Sequence, residues 1–220
     1  MLEQLLLPLS YLTDYSYSAF RPLNYCKKAF DWIAIWPNVS FSSAVIAGEK
    51  GVGKTHLSFL WHEKSKSHWV KKEDILENLL NKKAYSIDDV ENFIGIKEKE
   101  EVLFHLYNHA KLNQKPLLIT AQRPIVEFDF FYKDLKSRLL EIPAFFLENP
   151  SQEELEILLI KQCHDIGLDL DKDIVLYLFN YIERTALDVN GAIAKLSKAL
   201  GGKKILTKTL IETVFLTKYS

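Results

Sequence analysis

Cysteine is scarce: the 220-residue chain holds only Cys26 and Cys163. They stand far apart and without metal-ligand spacing, which argues against a zinc site or a disulfide scaffold; they read as core thiols in a reducing compartment. An excess of one charge is also lacking. Lys and Arg total 28 against 29 Asp and Glu, for a net charge of −1. That excludes a dominant basic footprint of the kind nucleic-acid-binding domains show, although a local patch stays open. No apolar run reaches membrane-spanning length. Residues 1–12 are apolar but contain Glu3 and no basic segment, so they do not read as a signal peptide. Internal repeats and low-complexity tracts are absent. The expectation is a cytoplasmic protein with no membrane association. What is present is 48% hydrophobic residues and 26% charged ones, enough for one domain and a small second one.

Glycines number only eight, yet Gly48, Gly51 and Gly53 share one loop. The segment Gly48-Glu49-Lys50-Gly51-Val52-Gly53-Lys54-Thr55 fits G-x-x-x-x-G-K-[ST] at every fixed position. Residues 43–47 read as a buried strand entering it, and Thr55-His56-Leu57 onward as a helix leaving it. The glycines let the backbone close around a phosphate and take up positive φ. Loop N–H groups and the helix start then face the anion. Lys54 is expected at the β and γ phosphates and the Thr55 hydroxyl on Mg²⁺, so the cofactor is ADP or ATP with Mg²⁺. Gly48 through His56 form the expected nucleotide-binding set.

Further along, Ala84 to Asp89 reads as a strand ending in two acids. At that place beside a phosphate loop, Asp88 can hold the metal through water and Asp89 can orient or deprotonate the attacking water. Pro116 to Ala121 reads as a buried strand whose polar end, Thr120 and Gln122, approaches the γ-phosphate if it neighbours the loop strand. Glu98–Asn113 has a helical apolar face, Asp134–Leu139 is helical, and Ala144–Leu147 is a last strand. Five alternations of strand and helix imply a parallel sheet with helices on both faces. From Pro150 the texture is all helix. Ser151 and Glu154 form a capping box, and helices are expected over about 152–166, 172–183, 189–200 and 208–216. The organisation read here is an N-terminal peptide at 1–12, an α/β domain at 13–149 and a helical lid at 150–220.

Phosphate loop, acidic strand end, polar strand end, Ser-Arg helix and helical lid, in that order, resemble an AAA+ ATPase. Leu118-Ile119-Thr120-Ala121-Gln122-Arg123-Pro124 is similar to the sensor 1 strand of the DnaA branch, and Asp134-Leu135-Lys136-Ser137-Arg138-Leu139 to its arginine-finger segment. The start, Gln4-Leu5-Leu6-Leu7-Pro8-Leu9, resembles a sliding-clamp-binding motif, although the same leucines could pack on their own domain. No helix-turn-helix domain is expected after the lid. Together these features resemble the Hda group of DnaA-related regulators, most of all its alphaproteobacterial form.

The resemblance implies an AAA+ P-loop NTPase fold with a five-stranded parallel sheet and a small all-α lid. It implies clamp binding through Gln4, Leu5, Leu7, Pro8 and Leu9, and action on ATP-bound DnaA through Arg138 in trans. It places Phe20 and Pro22 near the adenine base and gives Gln122, with Asp89 and Arg138, a part in catalysis. Sequence-specific DNA binding is not expected, and oligomerisation stays open. The family's sensor 2 arginine position falls on Leu187, with Arg184 one helical turn earlier, which implies weak ATPase activity of its own at most. The alternatives are an autonomous AAA+ ATPase or loader acting on DNA or another replication protein, a nucleic-acid-binding adaptor, and a nucleotide-locked scaffold.

Overall fold

A computed structural model describes residues 20–38, 41–168, 170–200 and 206–216. Two compact units divide between Asn149 and Pro150. The clamp-motif residues Gln4 to Leu9 lie outside the described residues.

In the α/β unit, a short turn at Asn24–Cys26 leads into α1 (Lys27–Ile35), followed by β1 (Ala44–Gly48) and α2 (Lys54–Ser65). Then come β2 (His68–Trp69), α3 (Leu76–Leu79), β3 (Tyr85–Ile87) and α4 (Lys97–Leu112). β4 (Leu117–Ala121), α5 (Lys133–Leu140) and β5 (Ala144–Leu147) complete it. The five strands form one parallel sheet in the order β2-β3-β4-β1-β5. The loop strand β1 is therefore central, and β4 is its hydrogen-bonded neighbour, with Thr120 opposite Ile46. Strand alternation sends Val45 and Ala47 to one face, where they join Leu103, Leu106 and Tyr107 of α4 and Leu135 and Leu139 of α5 in a buried cluster. Helices α1 and α2 pack on each other and on β1, β4 and β5.

The polar residues that interrupt β3 are satisfied in place. The Ser86 hydroxyl lies 2.6 Å from that of Ser67, and Tyr85 OH donates to the Leu79 carbonyl at 2.9 Å. The segment Glu73–Leu80 reads as a helix in the sequence, yet the helix starts only at Leu76. The Asp74 carboxylate accepts the Lys71 N–H at 2.9 Å, and this turn holds Ile75 extended at the helix start.

The helical unit comprises α6 (Gln152–Asp165), α7 (Lys172–Leu178), α8 (Ala186–Leu200) and α9 (Lys208–Leu216). The capping box of Ser151 and Glu154 is formed in both directions. α7 ends five residues before the expected Glu183, where tight turns at Asn180 and Tyr181 bond back to Tyr177 and Leu178. α8 starts earlier than expected because Thr185 caps it: its hydroxyl accepts the Asp188 N–H at 3.1 Å. Leu155, Leu159, Cys163, Val189, Ile193, Leu196 and Ile211 are buried. Both cysteines are buried and neither is in a disulfide, as expected for core thiols. Among the described residues, no helix is long and apolar enough to cross a membrane.

Candidate functional site

The phosphate loop closes on glycines for two different reasons. Gly51 and Gly53 have φ of 93° and 96°, the left-handed region that side chains disfavour. Gly48 is held to glycine by space instead, since a Cβ there would meet the Leu147 carbonyl oxygen at 2.8 Å and its Cβ at 2.9 Å. Gly53 is the N-cap of α2 and provides no side-chain cap, so the first N–H groups of that helix are left to face a ligand. Lys54 is buried, and its Nζ donates to the carbonyls of Gly48 at 2.8 Å and Glu49 at 3.0 Å. Burial pushes its pKa down, while Asp89, Glu91 and Asp88 pull it up. Glu49 and Lys50 are exposed, and Val52 is buried beneath the loop.

Asp88, just past the end of β3, joins three elements. Thr55 of α2 donates to Oδ2 at 3.0 Å, and Thr120 of β4 donates to Oδ1 at 2.6 Å. The Thr120 hydroxyl accepts the Asp89 N–H at 2.8 Å in return. Loop helix, acidic strand end and polar strand end thus meet, as the sequence implied. Asp89 sits at φ 52°, an unusual conformation for a residue other than glycine and one that aspartate tolerates.

Sequence reasoning missed Glu91, which a short turn at Val90–Asn92 folds back beside this cluster. Both its carboxylate oxygens are sealed from solvent without a hydrogen bond. The backbone N–H groups of Glu91 and Gln122 face it without reaching bonding geometry. Burial, aided by Asp89, pushes its pKa up against the pull of those amides and Lys54. The signal was an acid three residues after Asp88, a spacing that only the turn makes meaningful. Gln122 itself is exposed, and its backbone N–H is the group directed toward Glu91.

Phe20 lies edge-on to His56 at 4.8 Å and stacks on Phe30 at 5.3 Å, which places it beside the first turn of α2; Pro22 is exposed. Arg138, in the last turn of α5, takes no part in the hydrogen bonds of the Asp88 cluster. It is half-buried, with its guanidinium carbon 5.2 Å from the centre of the Phe104 ring. Glu141, a conceivable partner, pairs with Lys111 at 2.7 Å. Among the described residues no carboxylate forms an ion pair with Arg138. In the helical unit, Leu187 is 46% exposed, and Arg184 donates to Gln152 and lies over Phe179.

These residues fit a magnesium nucleotide. The glycines admit a phosphate close to backbone, Thr55 and Asp88 are hard oxygen donors already within 3.0 Å of each other, and Glu91 has unused acceptor capacity.

The chain is similar in fold to domain III of the replication initiation protein DnaA from Thermotoga maritima. The TM-score is 0.76 at 19% identity, over 94% of this chain and 97% of that one. The fold is that of DnaA domain III. AMPPCP-bound DnaA from Aquifex aeolicus matches the same AAA+ architecture, with TM-score 0.73 and 19% identity over 87% of this chain and 67% of that one. In sequence, the chain is similar to the chromosomal replication initiator protein DnaA of Bacteroides thetaiotaomicron, 24% identical over 177 residues. That match takes in 70% of this chain, and the chain spans 38% of that relative's length. No family model matches the sequence. The fold is consistent with an ATP- or ADP-binding AAA+ module.

Proposed function

We propose that this chain is a DnaA-related regulator that docks on the DNA polymerase sliding clamp and stimulates hydrolysis of DnaA-bound ATP, so restraining chromosome replication initiation. The observation that carries this reading is Arg138. Its guanidinium rests on Phe104 at the end of α5 and forms no ion pair among the described residues; the neighbouring Glu141 carboxylate feels its charge but is bonded to Lys111, which leaves the guanidinium donors for a partner's phosphate. In its own site the phosphate loop would hold a nucleotide. Lys54 would neutralise phosphate charge, and Thr55 and Asp88 would hold Mg²⁺, which would supply charge stabilisation at the β and γ phosphates. Asp89 is an acceptor for a water beside the Thr120 end of β4. Gln122 cannot serve as a base. With Leu187 at the family's sensor 2 position, turnover by the chain alone is weak. In trans, Arg138 stabilises charge on the transferring phosphoryl group of DnaA-bound ATP. Residues 4–9 bring the module to the clamp.

The test is hydrolysis of radiolabelled ATP on DnaA, with clamp loaded on DNA and the full chain added. Arg138→Ala should lower the stimulated rate by about 10³-fold or more, and Gln4→Ala with Leu7→Ala should abolish clamp binding. Unchanged turnover with Arg138→Ala would refute the trans-acting role. The complete donor set around Asp88 favours a second reading, an autonomous AAA+ ATPase or loader. Brisk turnover by the chain alone, indifferent to clamp and DnaA, would select it.

A further inference from the structure

Helix α5 begins without a side-chain cap of its own. Its N-cap residue, Tyr132, donates its backbone N–H at 2.8 Å to Glu100 Oε2 on α4. The Phe131 N–H donates to Oε1 at 3.0 Å, and the Gly95 N–H, just before α4, donates to the same oxygen at 2.6 Å. Glu100 is fully buried. A carboxylate can be held in such a place because three N–H groups bond to its charged form and it lies in the first turn of its own helix. One turn along the same face of α4, Phe104 lies beneath the Arg138 guanidinium. Leu135 and Leu139 are buried and fix the rotation of α5. Lys136 Nζ donates to the carbonyls of Val126 at 2.6 Å and Phe128 at 2.7 Å, folding the loop that leads into the helix.

We infer that α4 aims Arg138: Glu100 fixes the start of α5, and Phe104 holds the plane of the guanidinium. Both are positioning residues, and the inference rests on the trans-acting reading of Arg138. A guanidinium already restrained by a ring loses less rotamer freedom when it engages a phosphate. Glu100→Gln keeps the shape but turns one acceptor oxygen into an N–H₂ group facing backbone donors. Phe104→Leu keeps most of the volume and removes the ring.

Two measurements decide it, both on the full chain. The first is the Arg138 Nε–Hε resonance, assigned by its loss in Arg138→Ala. Ring current from Phe104 should displace it upfield, and Phe104→Leu should return it toward the ordinary arginine position. The second is DnaA-bound ATP hydrolysis at saturating chain. Phe104→Leu and Glu100→Gln should each lower the maximal rate by about three- to tenfold, with the half-saturating concentration and clamp affinity unchanged. A strong loss in Arg138→Ala with full maximal rate in both positioning variants overturns this inference and leaves the trans-acting reading intact. An unaffected rate in Arg138→Ala overturns the reading itself. Should Glu100→Gln fail to fold, Phe104→Leu decides alone.

Discussion

The two units place their polar side chains to opposite ends. In the α/β unit, polar groups are drawn inward at the strand ends: Lys54 and Thr120 are buried, and Asp88 is bonded from two sides. In the helical unit the interior is aliphatic, and its polar contacts serve the helices themselves. Ser151 and Thr185 are caps, and the unit's only arginine, Arg184, is committed to Gln152. The contrast teaches that the buried polar cluster proposed to take a phosphate is built into one unit, whereas the other has a half-exposed Leu187 where the resemblance implies a cation.

Lys54→Ala should break this contrast most severely. Nucleotide affinity is expected to fall by about a hundredfold or more, because a charged bond to phosphate contributes roughly 1.5–3 kcal/mol and a buried cation is removed besides. Isothermal titration with ADP checks it, and an affinity within twofold of the parent would deny Lys54 its role. Leu187→Arg sharpens the contrast from the other side. It should strengthen ATP relative to ADP by about one decade, with Arg184→Ala nearly silent. The reverse outcome would move phosphate sensing to Arg184.

The smallest effect concerns Glu91. Its pKa is raised in the folded chain, so the protonated form is favoured there, and the stability that protonation contributes is lost as pH rises through the folded pKa. Glu91→Gln should therefore stabilise the nucleotide-free protein at neutral pH by about 1 kcal/mol, or about 3 °C in melting temperature. The gain should shrink toward pH 4. A gain independent of pH would point to packing rather than to a sealed charge.

Much of this was legible in the chain. The loop motif and the run of strand and helix signals fix the sheet and place Gly48 to Thr55, and the acid pair after β3 leads to Asp88. The limits of legibility are local. The late start of α3 depends on a carboxylate turn at Asp74, and the early start of α8 on the cap at Thr185. Glu91 was hidden because its meaning depends on a turn, not on a periodic pattern. Glu100 was hidden because its acidity in the first turn of an amphipathic helix looks like ordinary dipole complementarity. Only the tertiary path of residues 131–132 shows what it binds.

Lys54 resting on the carbonyls of Gly48 and Glu49 gives the loop an internal tenant. On the proposed reading, phosphate binding is for this ammonium an exchange of partners rather than the creation of a new one.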